Sequence, residues 1–345
     1  MKLAVLNNCV PFLRGGAEHL AEALTLKLVE YGHEAILVRI PFRWEPPEKI
    51  VEHMLACRLM KLRNVDRAIA LKFPAYYVPH PDKVVWLLHQ FRQAYDLWGV
   101  RGQGLPESEG GREVRNAIVR ADNSYLPEAR TIFANSHVTA DRLWRFNQLQ
   151  ATVLYPPLLR HDHLTCGAYG DYIFAPGRVN RAKRQQLVVE SIRHCKSAVK
   201  LVVAGHADAP ADAERIRTAI ARSGTGDRVR FVDRFITEEE KAELFKHALG
   251  CAYLPYDEDS YGYVTLESYL SRKPVITCTD SGGIGLLVKE GTTGFVVPPT
   301  ARDLAGAMDR LFEDRDRARR MGEAGYELVQ TLNITWDHVI RCLTK

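Results

Sequence analysis

Short apolar runs rich in β-branched residues alternate along this chain with longer stretches whose apolar positions recur every three to four residues. The short runs predict strands over 2–6, 34–40, 67–71, 84–88, 131–134 and 152–155. In the second half they predict strands over 172–175, 200–204, 229–232, 251–254, 274–278 and 294–297. The intervening segments, such as 17–31 and 238–249, carry the helical period. Strand–helix alternation predicts an α/β fold with parallel sheets covered by helices on both faces. The alternation breaks between Pro156 and Asp171, where Pro156-Pro157 stops a strand and the next residues, including Gly167 and Gly170, are polar and irregular. The expected organisation is two doubly wound, Rossmann-like domains divided near residue 165. Such sheets bind ligands at the carboxyl ends of their strands, so a cleft between them is the expected site.

Length and composition agree with that organisation and narrow the function. A chain of 345 residues suits two cores, and 46% hydrophobic with 26% charged residues excludes disorder. No apolar run approaches the roughly 18 residues that span a bilayer. The start, Met1-Lys2-Leu3-Ala4-Val5-Leu6, is too soon polar for a secretory signal, so a cytoplasmic location is expected. The seven cysteines are scattered and never form C-x-x-C, which argues against a disulfide framework or a zinc site. A formal charge of +5, with signs alternating along most helices, does not predict a nucleic-acid partner. It suits either a small phosphorylated ligand or an anionic membrane surface.

Candidate chemistry is densest over 255–299. Asp259-Ser260-Tyr261-Gly262-Tyr263-Val264-Thr265-Leu266-Glu267 follows a strand and opens a helical pattern. Gly262 permits close backbone approach, and the amides that follow it, at Tyr263 and Val264, favour phosphate at a helix start. Asp259 and Glu267 look the same way only if Asp259 sits in the preceding loop. There they would accept hydrogen bonds from sugar hydroxyls; otherwise Asp259 caps the helix and Glu267 is a solvated surface group. Upstream, Gly177-Arg178-Val179-Asn180-Arg181-Ala182-Lys183 follows the 172–175 strand. Arg178 and Lys183 meet one pyrophosphate if the turn folds both inward, and are surface cations if it does not. Gly15-Gly16-Ala17-Glu18 opens a helix after the first strand but lacks the third glycine of a dinucleotide fingerprint. His89 ends the 84–88 strand, where an α/β sheet places active residues; a structural role is the other reading.

Together these motifs resemble glycosyltransferase family 4, retaining enzymes of GT-B fold also grouped as glycosyl transferases group 1. The acidic pair followed by Lys273-Pro274, Gly282-Gly283 and Gly291 to Pro298 carries the resemblance, with the Gly-Arg and Lys of 177–183. Gly15-Gly16, His89, Ala134-Asn135-Ser136 and Tyr155-Pro156-Pro157 extend it over most of the chain. Either Asn135 or Ser136 should cap the helix after it. Three departures stand out: Asp259 where Glu is usual, Arg184 where Gly follows the lysine, and Gly285-Leu286 in place of Pro-Glu.

The resemblance implies a hexosyltransferase with a nucleoside-diphosphate-sugar donor and a glycan or lipid-linked acceptor, in polysaccharide or lipopolysaccharide assembly. It implies that Arg178 and Lys183 hold the donor diphosphate, that Glu267 binds the ribose and Asp259 the donor sugar, and that His89 orients that sugar. Gly15 and Gly16 would approach the phosphates, and the loop ending at Phe235 would hold the base. It also implies that a final helix, about 325–345, returns to the first domain, leaving 166–324 as the donor-binding domain. His161 and His163 lack companion ligands, so no metal or other cofactor is expected. The basic amphipathic segment 48–62 either packs on its sheet or makes peripheral contact with an anionic membrane. The glycine-rich 102–111 segment is expected to be a mobile loop that shapes the acceptor pocket or is a surface excursion. Rival readings are a nucleotide-sugar epimerase of the same architecture and a catalytically silent nucleotide-sugar-binding protein. A nicotinamide dehydrogenase is disfavoured because neither half carries G-x-G-x-x-G after its first strand.

Overall fold

The computed structural model of the chain describes residues 1–11, 15–100 and 104–345. Residues 102 and 103 of the predicted 102–111 loop therefore lie outside the described residues. The chain divides into two compact units, Met1–Leu159 with Ile334–Lys345, and Arg160–Asn333. The division falls at 159 rather than 165, because the irregular segment that follows is tied to the second unit: the amides of Gly167 and Gly170 donate to Lys246 and His247 carbonyls, each at 3.1 Å. The return to the first unit begins at 334 rather than 325.

The first unit contains β1 (Lys2–Cys9), α1 (Gly16–Glu30), β2 (Glu34–Pro41), α2 (Glu48–Leu59), β3 (Arg67–Ala70), β4 (Lys83–Leu87), α3 (Glu109–Tyr125), β5 (Thr131–Ala134), α4 (His137–Asn147) and β6 (Thr152–Val153). The second contains β7 (Tyr172–Pro176), α5 (Gln185–Ile192), β8 (Lys200–Ala204), α6 (Pro210–Ser223), β9 (Val229–Val232), α7 (Glu238–His247), β10 (Gly250–Ala252), α8 (Tyr263–Leu270), β11 (Val275–Cys278), β12 (Gly294–Val297), α9 (Ala301–Glu313) and α10 (Arg315–Thr331). α11 (Trp336–Thr344) closes the chain. The sheets run β2-β1-β3-β4-β5-β6 and β12-β11-β10-β7-β8-β9, with parallel pairing throughout these ladders. Central strands such as β3, β4 and β11 are buried along their whole length, as strands covered on both faces must be.

α11 belongs to the first unit because its apolar residues share one face. Trp336, Val339, Ile340 and Leu343, at helical spacing, are buried against Leu3, Val5, Leu24 and Trp86. The Trp336 Nε1 donates to the Leu158 carbonyl at 2.7 Å, and Arg67 donates to the Leu343 carbonyl at 2.9 Å. α2 buries Ile50, Met54 and Cys57 and leaves Val51, Leu55 and Leu59 exposed. Its Arg58 is engaged in a two-pronged pair with Glu128, 2.7 Å at each end. Of the glycine-rich segment, residues 104–108 are irregular and 109–111 begin a helix. Ser108 caps α3 by accepting from the Gly111 amide at 3.2 Å, and Gly110 and Gly111 lie in its first turn.

A buried carboxylate stiffens the first core. Asp122 accepts from the hydroxyls of Tyr76 (3.0 Å), Tyr77 (2.6 Å) and Tyr95 (2.6 Å). Burial raises its pKa from 3.8 to about 6, although the three hydroxyls pull the other way. A carboxyl with a raised folded pKa contributes stability that is complete below its unfolded value and disappears as pH rises through its folded one. Wild type should therefore gain about 2 kcal/mol relative to Asp122→Asn between pH 7.5 and pH 4.5. Urea denaturation of both proteins at the two pH values measures this; a pH-independent difference would contradict it.

Candidate functional site

In the second sheet β7, β10 and β11 are neighbours, and the segments leaving their carboxyl ends meet. The turn after β7 carries Arg178, Asn180 and Lys183 before α5 begins. Lys183 Nζ donates to the Tyr253 hydroxyl at 2.9 Å and also to the carboxylate of Glu258. Burial opposes the ammonium charge, but Tyr253 and Glu258 outweigh it and hold the pKa above the ordinary lysine value. Arg178 turns elsewhere: its Nη1 lies 3.3 Å from each oxygen of Asp208, just beyond β8. Asn180 joins the two, donating to Asp208 at 2.8 Å and accepting from the Lys183 amide at 2.9 Å. The turn thus gathers both cations into one network while giving each its own acidic partner.

α8 starts where the resemblance requires an anion site. Gly262 occupies its N-cap at φ 69° and ψ 134°, and no side chain caps the helix. Asp259 is therefore not the capping residue; it lies in the preceding loop, half-buried, with Tyr263 and Val264 half-buried at the helix start. The amides of a first helical turn have no intrahelical acceptor, and they point outward with the positive end of the helix dipole. Tyr253 packs against this start so tightly that a Cβ at Gly262 would overlap its ring and stand 3.0 Å from its hydroxyl.

Glu267 is not a solvated surface group. It is buried, with Oε1 2.6 Å from Lys241 Nζ on α7. Burial raises its pKa, and Lys241 offsets part of that rise. The Gly282-Gly283 turn holds the acidic loop by backbone alone. Asp257 N donates to Asp280 O at 2.9 Å, Glu258 N to Ser281 O at 3.3 Å, and Gly283 N returns to Glu258 O at 2.8 Å. Gly282 has φ 61°, and a Cβ there would lie 2.8 Å from the Glu258 nitrogen.

The remaining expected residues are placed as follows. Phe235 is 72% exposed, its ring stacked on His206 at 4.9 Å and 28°. In the first unit, Gly15 is the N-cap of α1 and Gly16 its first residue; Glu18 accepts from the Gly15 amide at 2.9 Å and pairs with Lys72 at 2.7 Å. His89 lies just past β4, its Nδ1 2.7 Å from the Gln90 carbonyl. Ser136 caps α4, accepting from Thr139 N at 3.1 Å. Among the described residues, no three His, Cys, Asp or Glu side chains are grouped to hold a metal ion, and no helix is long and apolar enough to cross a membrane.

Sequence reasoning missed Tyr253, Glu258, Asn180 and Asp208. A signal existed for two of the four. Tyr253 follows a strand at its carboxyl end, where ligand sites form. Glu258 sits in the run Asp257-Glu258-Asp259, of which only the last was weighed.

Comparison with known proteins bears on the family and the fold. Residues 170–328 match the family model described as glycosyl transferases group 1. The alpha-maltose-1-phosphate synthase of Mycolicibacterium smegmatis is 29% identical over 315 residues, covering 83% of this chain and 80% of that protein. The fold is shared with a sucrose-phosphate synthase from Thermosynechococcus elongatus (TM-score 0.76, 20% identity, 100% of this chain and 98% of that one). It is also shared with HepE of Anabaena solved with UDP-glucose (TM-score 0.73, 14% identity, 100% and 98%). Residues 170–328, in the unit that carries Lys183 and the glycine-started helix, thus match the group 1 glycosyltransferases, and the chain folds as two Rossmann-like units of the GT-B type.

Proposed function

We propose that the chain is a retaining, metal-independent transferase that moves a sugar from a nucleoside-diphosphate sugar to a glycan or glycolipid acceptor in polysaccharide or lipopolysaccharide assembly. The observation that carries this reading is the charged Lys183 amine beside the uncapped, glycine-started α8. Glycosyl transfer breaks the bond between the anomeric carbon and a phosphate oxygen, so negative charge grows on the leaving diphosphate. Lys183 and the amides of Tyr263 and Val264 meet that charge, with Arg178 released from Asp208 as a second cation. The bond from the acceptor oxygen to the anomeric carbon forms on the same face. The departing phosphate oxygen takes the acceptor's proton, so no enzyme nucleophile is needed. Glu258 stands in for the diphosphate on Lys183 until the donor arrives.

Asp259 then binds the donor sugar and Glu267 the ribose, with Lys241 paired to that buried carboxyl. Phe235 supplies a stacking surface for the base. In the first unit, Gly15, Gly16 and His89 lie past the carboxyl ends of β1 and β4, where such sheets bind ligands. HepE bound to UDP-glucose supports a nucleotide-sugar donor, and the exposed Val51, Leu55 and Leu59 of α2 suit a lipid-borne acceptor at an anionic membrane.

Thermal shift with UDP-, GDP-, dTDP- and ADP-glucose, with and without excess chelator, tests the donor. Product analysis with and without acceptor glycans then tests transfer. One donor should raise the melting temperature equally in chelator. A changed sugar released without acceptor would instead mark an epimerase, and binding without any product a silent binder.

A further inference from the structure

Arg184 is an arginine in a left-handed backbone conformation, φ 55° and ψ 31°, a region that a residue with a Cβ seldom occupies. Its side chain explains why it is there. Nε donates to the Leu254 carbonyl at 2.7 Å; Nη1 and Nη2 grip the two oxygens of Asp280 at 2.8 and 2.7 Å; Nη2 also reaches Pro255 O at 3.2 Å and Ser281 Oγ at 3.3 Å. One guanidinium thus ties together the segments that leave β7, β10 and β11.

The same two partners hold the acidic loop through their backbones. The Asp280 carbonyl accepts from Asp257 N, itself left-handed at φ 45°, and the Ser281 carbonyl accepts from Glu258 N. Glu258 then meets Lys183, which directly precedes Arg184. The contacts close a ring: Arg184 to Asp280 and Ser281, on to Glu258, and back to Lys183. Breaking it at Arg184 frees the lysine turn and the acidic loop to move independently, whereas the αL backbone alone would be satisfied by glycine.

We propose that Arg184 is a positioning residue which, through Asp280, sets where Lys183 stands relative to the start of α8. The proposal rests on the leaving-group role of Lys183. Three consequences separate it from a merely structural contact. Arg184→Gly should keep its fold, because glycine suits the αL position, yet lose about 10- to 100-fold in kcat with donor KM changed less than about threefold. Arg184→Lys, which keeps the charge but cannot form the two-pronged grip, should stay within about threefold of the glycine variant. Asp280→Asn should also lose activity, and the Arg184→Gly/Asp280→Asn double variant should be no worse than the worse single one.

The assay is initial-rate kinetics on the full chain with whichever of UDP-, GDP-, dTDP- and ADP-glucose gives the highest wild-type turnover, with circular dichroism melts alongside. Wild-type kcat in Arg184→Gly, full recovery in Arg184→Lys, or losses that multiply in the double variant would each overturn the proposal. Should Arg184→Gly fail to fold, Asp280→Asn against wild type decides by the same kcat criterion. Lys183→Ala in the same assay keeps the two ideas apart. An active Lys183→Ala removes the leaving-group reading, whereas an inactive one beside a fully active Arg184→Gly removes only the clamp.

Discussion

Lys183→Ala is expected to lower kcat/KM by about 10²- to 10⁴-fold while the melting temperature moves by only a few degrees. Two costs combine in that loss. The leaving diphosphate forfeits an ammonium group whose charge is held by Tyr253 and Glu258 against the penalty of burial. Glu258, deprived of its partner, then presents an uncompensated carboxylate where the donor's phosphates should lie, so donor KM rises as well as kcat falling. The fold should tolerate the change, because Lys183 belongs to no hydrophobic core and its backbone is fixed through Asn180. Steady-state kinetics with a fixed acceptor, set beside a thermal melt, checks both halves. Retention of more than a tenth of wild-type kcat/KM would show that leaving-group charge is met elsewhere. Comparison with Lys183→Gln separates the causes: it preserves a hydrogen bond to the Tyr253 hydroxyl but removes the charge, and should recover little.

The elements that were legible in the sequence are those whose information is local. Short apolar runs bounded by glycine or proline specify strands such as Val275–Cys278 and Tyr172–Pro176 without reference to any partner. Caps are local too, so the cap of α4 could be narrowed to Asn135 or Ser136 from its own neighbourhood, and Ser136 fills it. The site divides along the same line. Gly262 and Lys183 were readable because spacing along the chain places them at a helix start and in a strand-to-helix turn. Glu258, Tyr253 and Asp208 were not, because their roles arise from contacts between segments far apart in sequence. Lys183 meets Glu258 across 75 positions, and Arg178 meets Asp208 across 30. The solvated-surface alternative for Glu267 falls for a related reason. On a helix wheel it is an exposed polar position, and only the packing of α7 supplies the lysine that lets a carboxylate be buried there. In the glycine-rich stretch residues 104–108 are irregular, as composition suggests, but Ser108 three residues before Gly111 supplies a cap, and a capped start carries Gly110 and Gly111 into a helix.

Gly262→Ala should damage both stability and turnover. The position combines φ 69° with ψ 134°, which a residue bearing a Cβ adopts only under strain, and the added methyl would overlap the Tyr253 ring. Backbone strain and overpacking together should cost about 3 kcal/mol of stability. The ring is buried beneath the acidic loop and has little room to move aside. Whatever relief is found must come from shifting Tyr253, which carries the hydroxyl that fixes Lys183, or from tilting the start of α8, which carries the amides. Either route separates the two sources of positive charge, so activity should fall by more than about 100-fold, a larger loss than instability alone produces at a temperature where the variant remains folded. Tyr253→Leu discriminates between these routes. Combined with Gly262→Ala it removes the overlap but not the strained dihedrals, so it should restore part of the melting temperature and none of the activity. Recovery of turnover in that double variant would mean that Tyr253 merely fills space, and that Lys183 finds its place against the helix start without it.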